Sequence, residues 1–169
     1  HCVTRRQRQM CIRDSDKGDL LDFRHFSGPV SILLETATQQ KLNLHPSDAN
    51  KDTFVQLFSG MSIEDVIGSE FSDWIIGNNR DNLIMGLDGD DVISTKYGYD
   101  MADGGEGNDN INRPSSRVRG ADWGGKVLLG GAGEDIIYGS IGADLIDGGA
   151  DNDKIYLDTA TRGRAGPAS

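Results

Sequence analysis

The residues best suited to chemistry in this chain are short polar acids and amides that recur every nine positions. Asp73, Asn82, Asp91, Asp100 and Asp109 form one run, and Asp135, Asp144 and Asp153 form a second. Glycines precede the acids at fixed offsets. In the fullest copies these are Gly104, Gly105 and Gly107 before Asp109, and Gly130, Gly131 and Gly133 before Asp135. Glycine takes φ > 0 without a Cβ clash, so such a segment turns tightly and can aim its carbonyl oxygens inward. Carboxylates beside carbonyls are hard oxygen donors, and the chemistry they suit is the binding of a hard divalent cation.

The period continues beyond the acids. Two residues after them stand Ile75, Ile84, Ile93, Ile111, Ile137, Ile146 and Ile155, with Ala102 in the same place after Asp100. Five blocks of nine run without a gap from 68 to 112. RPSSRVRG at 113–120 then breaks the count. ADWGGKVLL (121–129) is a degenerate block with Lys126 in the acid position, and three further blocks reach 156. Of the 23 glycines, 18 lie between 68 and 149, so the period accounts for most of the unusual composition.

This pattern resembles the RTX, or haemolysin-type, nonapeptide G-G-x-G-x-D-x-U-x, in which U is a large apolar residue. GGEGNDNIN (104–112) and GGAGEDIIY (130–138) match it at every defined position. The likeness is firm over 68–156 and loose over about 30–67, where Asp65-Val66-Ile67-Gly68-Ser69 is similar to the lead-in that precedes the first repeats in secreted members. The resemblance implies an all-β, right-handed parallel β-roll in which two nonapeptides make one turn of 18 residues. Blocks two apart then stack, which pairs Asp73 with Asp91, Asp91 with Asp109, Asn82 with Asp100, and Asp135 with Asp153. Lys126 falls opposite Asp144, where an ion pair in place of a metal ion is expected. The implied calcium ligands are Asp73, Asn82, Asp91, Asp100, Asp109, Asp135, Asp144 and Asp153, with backbone oxygens around Gly86, Gly89, Gly104, Gly105, Gly107, Gly130, Gly131 and Gly133. Roughly three to five calcium ions are expected on this count. Two carboxylates about 5 Å apart repel by roughly 3 kcal/mol at an effective dielectric near 20, so the roll is expected to form only as the metal binds.

The elements that must position these residues are short strands. Residues 16–67 read as a β-rich lead-in, with strands at Val30–Leu34, Lys41–Leu44 and Thr53–Phe58 and turns at Pro29, Pro46 and Ser47–Asn50. The repeats divide into 68–112 and 121–156, separated by an interrupting loop at 113–120, and a disordered tail is expected over 157–169. Residues 1–15 stand apart. They carry both cysteines and the cations Arg5, Arg6, Arg8 and Arg13, and RRQRQMCIRDS (5–15) resembles the translation of a sequencing-library adapter. They are expected to be disordered and foreign to the fold. Without them the net charge moves from −10 to −13, and no cysteine remains.

Composition excludes several functions. So negative a chain repels phosphate, which argues against a nucleic-acid binder. No apolar run is long enough to span a bilayer. His25 and His45 stand alone, and there is no H-E-x-x-H, G-x-S-x-G or P-loop. Trp74 and Trp123 fit edge-packed or exposed positions better than a sugar-binding platform. The expectation is a non-enzymatic calcium-binding module of a larger secreted bacterial-type protein, folding outside the cell after type I secretion. The alternative is an accessory module of a secreted hydrolase or polysaccharide-modifying enzyme. In that alternative Arg113, Arg117 and Arg119 would contact an anionic polysaccharide.

Overall fold

Glycine-rich turns alternate with three-residue runs centred on isoleucine, a pattern too short in period for helices and well matched to short strands. The computed structural model describes residues 2–5, 8–13, 19–42, 54–57, 63–113 and 124–157. Among them there are sixteen strands and no helix. The first six are β1 (Cys2–Arg5), β2 (Arg8–Arg13), β3 (Leu20–Asp22), β4 (Ser31–Leu33), β5 (Gln40–Lys41) and β6 (Phe54–Val55). The repeat region follows with β7 (Asp65–Ile67), β8 (Trp74–Ile76), β9 (Leu83–Asp88), β10 (Val92–Ser94), β11 (Met101–Glu106) and β12 (Asn110–Ile111). Beyond the 113–120 break lie β13 (Val127–Ala132), β14 (Ile136–Tyr138), β15 (Leu145–Ala150) and β16 (Lys154–Tyr156).

These strands form a parallel β-roll. One sheet has the order β1-β2-β3-β7-β9-β11-β13-β15 and the other β16-β14-β12-β10-β8-β4, so the repeat strands alternate between the two sheets. The register is 18 residues per turn: Leu83 faces Met101, and Trp74 faces Val92. Across the break the offset becomes 26, with Met101 facing Val127 and Asn110 facing Ile136. The eight residues of 113–120 are therefore passed over and the roll continues in phase. The repeats interrupted in sequence between 112 and 121 thus stack as neighbours in one ladder. The ladder follows stacked strands and is indifferent to the length of chain between them.

The core is a single layer between the sheets. Ile84, Ala102 and Leu128 line one side and Ile75, Ile93, Ile111 and Ile137 the other, each wholly buried. The lead-in supplies the first turn of the same stack. Leu21 on β3 pairs with Val66 on β7, and Ile32 on β4 pairs with Ile75 on β8. Phe23 and Phe26 add an edge-to-face pair at 5.3 Å. At the other end, Ile155 is 45% exposed and Leu157 is 67% exposed, so burial fades as the stack runs out of turns.

β4 and β6 lie within the strands expected at Val30–Leu34 and Thr53–Phe58, whereas β5 (Gln40–Lys41) shares only Lys41 with the strand expected at Lys41–Leu44. Pro46, Ser47–Asn50 and the ends of the second and third predicted strands lie outside the described residues, as do the tail from 158 onward and Arg117, Arg119 and Trp123. The first residues differ from expectation. Where a disordered arm is anticipated, β1 and β2 form an antiparallel hairpin that continues onto the edge of β3. A bare edge on β3 would present unpaired backbone N–H and C=O groups, which template pairing by an adjacent extended chain.

Candidate metal centre

The turns that link the two sheets fall into two rows. The first row is built on Asp73, Asp91, Asp109, Asp135 and Asp153, and the second on Asn82, Asp100, Lys126 and Asp144. Within each row the stacking rests on a repeated bond. The backbone N–H of Asp73 donates to Asp91 Oδ1 (2.7 Å), that of Asp91 to Asp109 Oδ1 (2.8 Å), that of Asp109 to Asp135 Oδ1 (2.8 Å), and that of Asp135 to Asp153 Oδ1 (3.1 Å). In the second row Asn82 N–H donates to Asp100 Oδ1 (2.8 Å) and Lys126 N–H to Asp144 Oδ1 (2.9 Å). One oxygen of each acid is thus committed to the turn before it, and the chemistry depends on the other.

That second oxygen meets one of two environments, set by the backbone two and four residues into each block. In five blocks both positions have φ > 0: Leu87 and Gly89, Lys96 and Gly98, Gly105 and Gly107, Gly131 and Gly133, Gly149 and Asp151. We call these turns open. In the blocks starting at 68, 77 and 139 neither position has φ > 0. There the second residue turns its N–H onto the block's own sixth side chain. Ser69 N–H donates to Asp73 Oδ2 (2.6 Å), Asn78 N–H to Asn82 Oδ1 (2.9 Å) and Ser140 N–H to Asp144 Oδ2 (2.6 Å). The Ser69 and Ser140 hydroxyls add bonds of 2.8 and 2.7 Å to Asp73 Oδ1 and Asp144 Oδ1. These turns are closed, their acids satisfied by protein donors.

In the open turns of the first row the outcome is opposite. The Oδ2 atoms of Asp91, Asp109 and Asp135 are buried and accept no hydrogen bond. A buried anionic oxygen without a partner costs several kcal/mol. A neighbouring carbonyl makes each one worse. A Cβ built on Gly86 would collide with both Asp91 Oδ2 and the Gly104 carbonyl, and one on Gly104 with Asp109 Oδ2 and the Gly130 carbonyl. Two oxygens from successive turns therefore converge on one point. Gly86, Gly104 and Gly130, which open their blocks, are needed for this close approach and not for φ > 0, a correction to their expected role. The carbonyls of Leu87 and Gly89 likewise abut Gly105 and Gly107 of the next turn.

A family model for the RTX calcium-binding nonapeptide repeat matches residues 67–102, 85–112 and 127–158. The chain carries RTX calcium-binding repeats. Among curated proteins and among solved structures nothing matches. The RTX match spans both rows of turns and bridges neither 113–120 nor the lead-in before residue 67, in keeping with the continuous roll interrupted only in sequence.

The first row fits the cation these RTX repeats bind. Calcium takes six to eight oxygens from carboxylates and carbonyls, and the converging, unpartnered oxygens of Asp91, Asp109 and Asp135 are of that kind. Among the described residues no three acidic, histidine or cysteine side chains gather at one point. A metal here depends on backbone carbonyls for much of its shell, as the close-packed turns allow. The electrostatics agree. Burial pushes the Asp91 carboxyl up to about 8, with the stacked Asp73 and Asp109 adding to the rise. Burial pushes Asp109 up to about 7, with Asp135 adding. Burial raises Asp135 as well. Without a cation Asp91 and, in part, Asp109 hold protons at neutral pH, and a calcium ion would take the protons' place.

The second row departs from expectation at Lys126. An ion pair with Asp144 is anticipated, but the Lys126 ammonium reaches back one turn to Asp100 Oδ2 at 2.6 Å. Asp144 is unavailable because Ser140 already holds both its oxygens. Asn82, anticipated as a weak ligand, spends its carbonyl oxygen on Asn78 N–H and donates its amide to Glu64 O (2.9 Å) and Asn78 Oδ1 (3.2 Å). Asp73, the first of the expected ligands, is closed by Ser69 and by Val30 N–H at 2.7 Å. The distinguishing signal was present in the sequence. Serine or asparagine stands second in all three closed blocks, where its N–H can reach the side chain four residues on.

Proposed function

We propose that this calcium-binding module takes three calcium ions, all in the first row, and that they complete its folding. The ions lie where turns 86–91 and 104–109, 104–109 and 130–135, and 130–135 and 148–153 meet. Asp91, Asp109 and Asp135 supply the side-chain oxygens, with help from carbonyls of Leu87, Gly89, Gly104, Gly105, Gly107 and Gly130. The observation that carries this reading is the column of three buried Oδ2 atoms without a donor. Bound calcium supplies the missing positive charge. The chain's own contribution is to hold the oxygens in line, through the Oδ1 ladder and the glycines that let successive turns approach.

The module is read as non-catalytic and as part of a larger secreted protein. A chain that is incompletely folded without calcium can cross a membrane extended and fold where external calcium is millimolar, the range in which extracellular modules bind. Type I secretion suits that logic.

The test is titration calorimetry together with circular dichroism. Chelated protein should show a reduced strand signal that calcium restores cooperatively, with about three ions bound per chain. Full strand content in chelator and no heat on adding calcium would overturn the reading.

A further inference from the structure

We propose that Lys126 is a resident cation that stands in for a metal ion in the second row, leaving that row neutralised without calcium. This rests on the calcium reading of the first row. The Lys126 Nζ donates to Lys96 O (2.9 Å), Gly98 O (3.2 Å) and Asp100 Oδ2 (2.6 Å). These are the second, fourth and sixth positions of one block. In the first row the same three positions are Leu87, Gly89 and Asp91, then Gly105, Gly107 and Asp109. An ammonium has three N–H donors and here meets three oxygens, two neutral and one anionic.

The turn that receives it is of the open class. Lys96 has φ 64° and Gly98 φ 126°, the conformation shared by turns 86–91, 104–109 and 130–135. In each of those the acid's Oδ2 is unpartnered, whereas Asp100 Oδ2 is not. The difference is the Lys126 side chain, whose charged group and that of Asp100 are both fully buried. Lys96 contributes only its carbonyl, since its own ammonium pairs with Glu35 at the surface. The remaining second-row turns, 77–82 and 139–144, are closed by Asn78 and Ser140. The row is therefore complete in protein donors from end to end. Calcium entering the Asp100 cage would have to expel a buried ammonium that is already fully bonded.

Replacing the resident charge should convert the cage into a metal site. Lys126→Asp puts a carboxylate in the sixth position of the following block, as Asp109 follows Asp91. The variant should bind one more calcium ion per chain than wild type, counted by calorimetry with calcium alone as the titrant. A folded Lys126→Asp protein with the wild-type stoichiometry would overturn the proposal. If wild type itself binds no calcium, the failure lies with the proposed function. Should the variant not fold, wild type decides the matter. The ¹⁵Nζ resonance of a buried, triply bonded lysine ammonium should be slow to exchange and unmoved by saturating calcium. Loss of that resonance as calcium is added would show the ion displacing Lys126 and would equally overturn the proposal.

Discussion

The two rows of turns share one period and one kind of Oδ1 bond, unbroken in the first row and interrupted at Lys126 in the second, yet they treat positive charge in opposite ways. In the first row, open turns at 86–91, 104–109 and 130–135 leave buried carboxylate oxygens bare. In the second, serine, asparagine and lysine supply every donor the acids need. The lesson is that a nonapeptide's acid does not by itself make a metal site. The residue at the second position decides whether the turn opens its carbonyls to a cation or turns its N–H onto its own acid. A roll with one row of each kind has a face that needs metal and a face that does not.

The largest effect should come from removing calcium, which sets the two faces apart directly. In chelator, hydrogen exchange of the Asp91 and Asp109 amides should accelerate at least tenfold more than that of the Asn82 and Lys126 amides. Those amides make the same ladder bond in the two rows. Tenfold corresponds to about 1.4 kcal/mol of local opening. Uniform acceleration would mean that the rows are not distinct.

Substitutions sharpen the contrast next. Asp109→Ala should abolish at least one of the three ions, and Asp91→Ala likewise. Asp73→Ala and Asp144→Ala should leave the ion count at three while lowering stability by about 1–3 kcal/mol through lost hydrogen bonds. Because Asp109 stacks on Asp135 across the break, Asp91 and Asp109 should be similarly sensitive. Equal ion losses from first-row and closed-turn variants would refute the division.

A smaller effect is expected from pH. Asp91 near 8 and Asp109 near 7 lie well above the ordinary 3.8. For acids so raised, the metal-free fold binds protons that the unfolded chain has released. Its proton-linked stability is fully present below about pH 4 and is lost as pH rises through 7 and 8. Metal-free protein should therefore melt higher at pH 5 than at pH 8. Calcium must displace the same protons, so its midpoint concentration should fall between pH 6 and pH 8, by up to about tenfold per unit for each proton released. A midpoint that does not move with pH would separate the acids from the metal. The smallest effect belongs to residues 1–15. Their deletion should leave the calcium midpoint unchanged within error, since their hairpin pairs with β3 on the first sheet.

Much of this architecture is legible in the sequence. Ile75, Ile84 and Ile93 mark a buried file at period nine, and the 18-residue pairing of Asp73, Asp91 and Asp109 reappears in the ladder. What escaped was local or long-range in a way that a repeat count ignores. Ser69 and Ser140 close their turns through a bond four residues long, which a consensus scored on glycines overlooks. Spacing alone points Lys126 forward to Asp144, but Ser140 holds that acid's oxygens, so the long side chain satisfies Asp100 behind it. The β1–β2 hairpin on an open sheet edge has no signature in composition, because backbone pairing asks little of side-chain identity.

The 26-residue step from Met101 to Val127 carries one further consequence. The roll counts rungs, and the chain between rungs at this place can vary. Lengthening a link of about ten residues by eight costs only about 0.5 kcal/mol of closure entropy, while the spacing of Asp109 from Asp135 stays what it is elsewhere in the row. At 113–120 the count of residues is thus uncoupled from the count of rungs. Extra sequence grafted there would come at little thermodynamic cost, and the ladder bond between Asp109 and Asp135 would not register its presence.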